Sequence, residues 1–183
     1  VFEFMASYND VCRLEPSDHV YQGFPLSFDG SVAEMWLAFS NGATLVIGPP
    51  ELAGRPDATA RYLAENGVTF FSTVPTFLSK LPDDVPSLRT IAVGGEPCPP
   101  ELVRRWVRPG RRVLNVYGPT ETTCSATAWD CKPGAPVAIG RPGIKPGTQA
   151  IIQWLPLLFN YLDRVTIVSP TYGEYAQAFY MAG

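Results

Sequence analysis

Between Val20 and Tyr117, short apolar runs alternate with stretches of helical period, and this alternation constrains the fold more than any other feature of the chain. Extended character marks Val20, Tyr21 and Phe24 to Phe28, then Ala43 to Ile47, Val68 to Ser72, Leu88 to Val93 and Val113 to Tyr117. Between the first two runs, Ser31 with Glu34 three residues on has the form of a capping box. Val32, Met35, Trp36 and Phe39 follow the i, i+3, i+4, i+7 pattern, which predicts a helix with that face inward, ended by Asn41-Gly42. Asp57 is expected to cap a helix through Asn66 that Gly67 closes. Pro75 starts a short helix over Phe77, Leu78 and Leu81, and Pro100 to Val107 forms another with proline in its first turn. Strands linked by helices run parallel to their neighbours, so the expected class is α/β, a mostly parallel sheet flanked by helices and wound right-handedly.

The last of these runs leads into Asn115-Val116-Tyr117-Gly118-Pro119-Thr120-Glu121-Thr122-Thr123. An aromatic ring, a Gly-Pro turn, a hydroxyl and a carboxylate lie there within five consecutive residues. In open α/β sheets ligands bind beyond the carboxyl ends of strands, which makes Tyr117, Thr120 and Glu121 candidates for contacting a nucleotide and its metal. The same residues also suit an ordinary turn in which Glu121 opens a helix.

Two more segments precede this one. They are Phe28-Asp29-Gly30-Ser31, followed by Trp36 to Phe39 and Gly42 to Leu45, and Gly94-Gly95-Glu96-Pro97. In this order the three motifs resemble those of the adenylate-forming, AMP-binding superfamily, specifically the amino-acid adenylation domains of nonribosomal peptide synthetases. The resemblance covers residues 8–146 approximately. It implies ATP-dependent activation of an amino acid to aminoacyl-AMP with release of pyrophosphate. It also implies a fragment of the large N-terminal part of such a domain, inactive alone: a phosphate loop before Val1, a ribose aspartate after Arg141 and the family's catalytic lysine do not occur in this sequence. Such a piece is expected to leave apolar faces uncovered around Phe70, Phe71 and Ile91.

The resemblance assigns roles residue by residue. Tyr117 would stack on adenine, while Asn115, Gly95 and Glu96 would form the adenine slot, with Gly118 in the turn beside it. Thr120 and Glu121 would be catalytic, Thr120 bonding a phosphate oxygen and Glu121 holding Mg2+. Two anions, a carboxylate and a triphosphate, must meet in this reaction, and a magnesium ion held by one or two carboxylates neutralises them. Asp29 would receive the α-ammonium of the substrate, since a carboxylate beside an apolar pocket needs a cationic partner. With Asp29, the family's pocket positions fall on Gly30, Ala33, Ser72, Ala92, Gly94, Val116, Cys124 and Ser125. Apart from Asp29 these are small and uncharged, which suits a large uncharged side chain. The implied partners are the amino acid, ATP and a carrier-protein domain of the parent synthetase.

Past Gly147 the pattern changes, which divides the chain into a partial adenylation domain, 1–146, and a foreign-looking tail, 147–183. Gly147-Thr148-Gln149-Ala150 and Ser169-Pro170-Thr171-Tyr172 resemble the phosphate-holding turn and the ring-stacking aromatic of a fold-type I pyridoxal-phosphate aminotransferase. A plain helix and strand account for the tail equally well. The rival readings of the chain are therefore a pyridoxal-phosphate enzyme and a noncatalytic nucleotide-binding remnant.

Composition excludes other classes. The 183 residues carry a net charge of −3, which argues against a nucleic-acid partner. The cluster Arg104, Arg105, Arg108, Arg111 and Arg112 reads as a solvated helix face and turn. No apolar stretch reaches the ~20 residues of a membrane helix. Cys12, Cys98, Cys124 and Cys131 fit neither a zinc ribbon nor a disulfide framework, and read as reduced thiols of a cytoplasmic protein. His19, the single histidine, leaves no basis for a Ser/His or Cys/His nucleophile or a histidine-rich metal site, and reads as a surface residue before a strand.

Overall fold

The protein is described from a computed structural model over residues 2–82, 85–119, 124–138 and 141–142. Helix α1 spans Phe2–Cys12, and strand β1 His19–Gln22 follows it. The chain then alternates α2 Gly30–Ser40, β2 Thr44–Ile47, α3 Pro56–Glu65, β3 Phe70–Thr73, α4 Pro75–Lys80, β4 Thr90–Val93, α5 Pro100–Trp106 and β5 Arg112–Tyr117. Strands β6 Thr127–Asp130 and β7 Arg141–Pro142 come last. Among the described residues these strands form one sheet in the order β2-β1-β3-β4-β5-β6-β7, the first five parallel and the last two antiparallel. The α/β class and the parallel core follow the sequence expectation. Helix α1 and strand β6 are additions to it, and the 147–183 tail lies outside the described residues.

Side chains alternate across a strand, so each central strand supplies both layers of core. Val20, Phe70, Ala92 and Leu114 pack on one face against Phe4, Met5, Tyr8, Leu37 and Ala38 of α1 and α2. Tyr21, Phe71, Ile91 and Val113 face the other way, against Leu63, Leu78, Leu102 and Trp106 of α3, α4 and α5. Phe70, Phe71 and Ile91 are thus 1%, 2% and 0% exposed, contrary to the expectation of bare faces there. Helices on both faces cover the central strands within the described residues.

Helix α2 turns a different face inward from the one its large apolar residues suggest. Ser31, Ala33, Glu34, Leu37 and Ala38 are buried, while Trp36 and Phe39 stand exposed and stack edge to face on each other. Small side chains allow α2 to lie close to β1 and α1, and the 3.6-residue period fits two apolar stripes equally well. The predicted capping box is absent. The Ser31 hydroxyl donates to Phe28 O at 2.8 Å, and the Glu34 carboxylate accepts from Gly23 and Phe24 instead. Pro25 to Phe28 form a turn closed by Phe28 N to Pro25 O at 2.9 Å, rather than an extended run. Asp57 lies inside the first turn of α3, one residue past Pro56, and makes no cap.

Both predicted glycine stops hold. Gly42 and Gly67 sit at φ +65° and +60°, and the paired bonds Ala43 N to Ala38 O and Val68 N to Leu63 O close α2 and α3 as Schellman motifs.

The arginine cluster is mostly structural. Arg111 is 7% exposed and donates from Nε to Leu88 O at 3.0 Å and from Nη2 to Val85 O at 2.5 Å, its guanidinium 5.5 Å from the Trp106 ring centroid. Arg105 donates to Ser79 O in the last turn of α4 and to Leu81 O just past it, and Arg112 reaches Val11 O, Cys12 O and Asp130. Helix C-termini leave carbonyls without intrahelical donors, and these two guanidinium groups supply them. Arg104, in an exposed pair with Glu101, and the exposed Arg108 fit the solvated reading.

Candidate functional site

The chain leaves β1 toward β2 on one side of the sheet and returns to β3 on the other, so the strand order reverses between β1 and β3. Connections diverge at such a point and open a crevice beyond the strand ends. Two cavities occupy it. The first, about 230 Å³, lies toward α1 and α2, and the second, about 260 Å³, lies toward the chain after β2 and the start of α4. Phe24, Ser72, Thr73 and Val74 wall both.

The first cavity gathers all nine residues assigned to the amino-acid pocket. Asp29, Gly30 and Ala33 come from the start of α2, Ser72 from the end of β3, Ala92 and Gly94 from β4 and its exit, Val116 from β5, and Cys124 and Ser125 from the segment before β6. Parallel register sets Ser72 beside Ala92 and Val93 beside Asn115, so successive strand ends meet the cavity at one level.

Asp29 occupies the position before α2, with φ −62° and ψ −24°, and its carboxylate makes no capping bond. Since Ser31 does not cap either, the carboxylate is spared by geometry rather than by competition. The Cys124 thiol donates to the Asp29 carbonyl at 3.0 Å from a residue held at φ +68°. Burial, with the Asp29 charge adding to it, pushes this thiol up to about 11, so it stays a neutral donor at physiological pH.

Aromatic rings missing from the sequence assignment complete the wall. Tyr8, Phe24 and Phe28 line the same cavity. Gly30 makes room for two of them: a Cβ there would stand 2.8 Å from Phe28 Cε1 and 2.9 Å from Phe24 Cδ2. The space over Gly30 thus holds protein rings, which narrows the pocket that its small residues suggest. Gly118 is required by backbone alone, since a Cβ would meet Ser125 Cα at 2.5 Å and Ala126 N at 2.7 Å. Close passage of the two segments at Gly118 holds the end of β5 against the cavity.

The residues assigned to the nucleotide divide into two groups. Gly95, at φ +79°, and Gly118 line the cavity, and the Tyr117 ring is 53% exposed at the end of β5. Glu96 and Asn115 have their side chains committed elsewhere. The Glu96 carboxylate accepts from Thr76 N and Thr76 Oγ1, both at 2.9 Å, and so serves the amino end of α4. Asn115 donates through Nδ2 to Ala138 O at 2.8 Å. Thr120 and Glu121 lie outside the described residues, two of which, Gly118 and Pro119, bring the motif to the cavity wall. Among the described residues no cluster of three His, Cys, Asp or Glu could hold a metal, and no helix is long and apolar enough to cross a membrane. The four cysteines are free, and His19 opens β1 with its Nδ1 2.9 Å from Asn66 O.

A family model described as "AMP-binding enzyme" matches residues 2–153. Delta-poly-L-ornithine synthetase of Acinetobacter baumannii is 44% identical over 142 residues, covering 78% of this chain and 11% of that protein. Among solved structures, the nonribosomal peptide synthetase FmoA3 in its alpha-methyl-L-serine-AMP bound form superposes with a TM-score of 0.70 at 28% identity, over 76% of this chain and 17% of that one. The Vibrio cholerae adenylation domain AlmE, in complex with glycyl-adenosine-5'-phosphate, gives a TM-score of 0.68 at 27% identity, over 76% and 28%. The chain spans less than a third of each of these relatives.

Proposed function

Because this chain belongs to the AMP-binding enzyme family, we propose that it forms part of a nonribosomal peptide synthetase adenylation domain, which joins an amino acid to the α-phosphate of ATP and expels pyrophosphate. The observation that carries this reading is the first cavity at the strand-order reversal, where Asp29 and eight small or uncharged residues from five separate segments converge. The synthetase and adenylation-domain relatives support it. Nothing among the described residues favours the pyridoxal-phosphate reading.

In this proposal Asp29 takes the α-ammonium and so points the substrate carboxylate toward the Gly118-Pro119 rim. The walls exclude water and admit an uncharged side chain. Tyr117 stacks on adenine, with Gly95 passing its backbone beside the ring, and Thr120 bonds a phosphate oxygen. Alignment of two anions removes much of the entropic barrier before chemistry begins. A carboxylate oxygen is the ligand type Mg2+ prefers, and Glu121, two residues past the cavity-lining Pro119, would hold the ion. When bound, Mg2+ neutralises the triphosphate as charge develops on the leaving pyrophosphate. A carrier-protein domain of the same synthetase would then receive the aminoacyl group.

The test is amino-acid-dependent pyrophosphate exchange by the full-length polypeptide that carries this chain, over the standard amino acids. Exchange is expected with an α-amino acid bearing a large uncharged side chain; a preference for glycine, lysine or an acid without an amino group would sink the reading. Glu121→Gln keeps the shape and removes the charge, so turnover at limiting magnesium should fall by ~10²-fold or more while amino-acid binding survives. Unchanged turnover would remove Glu121 from the metal role.

A further inference from the structure

We infer that Glu34 is a positioning residue for amino-acid selection: its carboxyl group fixes the Gly23-Phe24 turn so that Phe24 stands as the partition between the two cavities. This assignment rests on the adenylation reading and adds to it a determinant that lines neither cavity.

Glu34 is 1% exposed within α2, on the face turned to β1. One oxygen, Oε2, accepts from Gly23 N and from Phe24 N, each at 3.1 Å. These two amides come directly after β1, where the chain leaves the sheet at the strand-order reversal and its ladder partners end. Gln22 ties the same turn from its other side, donating through Nε2 to Phe24 O at 2.6 Å. The backbone of Phe24 is therefore held through both its N–H and its carbonyl.

What this holds in place is a ring that both cavities share. Phe24 packs edge to face on Phe28, with centroids 5.1 Å apart, and the pair fills the space above Gly30, next to Asp29. A bonding path thus runs from Glu34 through the turn backbone to the rings that bound the amino-acid site on its β1 side. A shift of the turn would let the first cavity open into the second across Phe24. The other carboxyl oxygen, Oε1, is enclosed without a partner, and desolvation raises the group to about 8 against the opposing pull of the Phe24 and Gly23 amides and the Gln22 side chain. Desolvation therefore favours its uncharged form. Its work is to accept two hydrogen bonds, which an amide oxygen can also do.

This chemistry separates positioning from both catalysis and simple stabilisation. In the full-length polypeptide, Glu34→Ala and Phe24→Ala should each raise the KM for the preferred amino acid by ~10-fold and shift preference toward longer side chains, leaving the KM for ATP within about twofold. Glu34→Gln should restore the wild-type preference. Hydrogen exchange gives a readout independent of activity: the Gly23 and Phe24 amides should be protected in the wild type and in Glu34→Gln, and exchange ~10²-fold faster in Glu34→Ala. Equal loss in Glu34→Gln and Glu34→Ala, or a Glu34→Ala protein with unchanged amino-acid preference, overturns the assignment. Pyrophosphate exchange by a wild type whose two amides are unprotected overturns the assignment alone. A wild type with protected amides but no exchange for any amino acid removes the adenylation reading, and this assignment with it.

Discussion

Asp29→Ala is expected to reduce amino-acid-dependent pyrophosphate exchange by ~10²- to 10³-fold, the equivalent of roughly 3–4 kcal/mol of transition-state stabilisation. Asp29 stands in the wall of the first cavity, and its carboxylate makes no cap at α2. The proposed ammonium would leave water on binding, and without Asp29 it would have no anionic partner among the cavity residues, whose other members carry no charge. The loss should appear in the KM for the amino acid and in kcat/KM, with the KM for ATP nearly constant. Asp29→Asn refines the test by keeping the shape and the oxygen while discarding the charge, and it should recover little. If both variants bind amino acid as the wild type does, the ammonium has another partner and Asp29 does not fill that role.

The second large effect concerns stability. Arg111→Ala should lower the unfolding free energy of the chain by about 3 kcal/mol or more, since it strands the buried Leu88 and Val85 carbonyls and uncovers a face of Trp106. Arg111→Met keeps apolar contact with the indole but donates nothing, and is expected to recover part of that loss. Arg104→Ala, on the exposed pair with Glu101, should cost about 0.5 kcal/mol or less. Urea denaturation of the three variants decides the matter. An Arg111→Ala protein no less stable than Arg104→Ala would return Arg111 to the solvated surface that the sequence suggested.

These arginines differ through tertiary contacts that no local pattern encodes. Five arginines within nine positions look like one charged face, because nothing local marks Arg111 or Arg105 as facing carbonyls more than twenty residues away. Tyr8 likewise carries no local mark of its place in the cavity wall. It belongs to a helix whose pattern did not stand out, and it meets the cavity only because α1 packs on α2 and the sheet. Phe24 and Phe28 were read as extended chain, and the Pro25 turn that folds their rings together over Gly30 was not foreseen.

The sequence by itself determined the order of strands and helices from β1 to β5, the parallel core, the two glycine stops and, through the family motifs, most of the segments that line the first cavity. Each of these is written in short-range terms: apolar period, turn residues at φ above zero, and motifs that sit at strand ends. The tertiary structure alone decided which face of α2 is buried, that Glu34 clamps a turn instead of boxing its own helix, that Glu96 and Asn115 spend their side chains on neighbouring segments, and that aromatic rings bound the cavity. A helix with two apolar stripes satisfies its own period either way, and a carboxylate or guanidinium can bond any donor or acceptor that folding brings near. Those choices are made by distant backbone, so they exist only once the sheet has closed and its helices have docked.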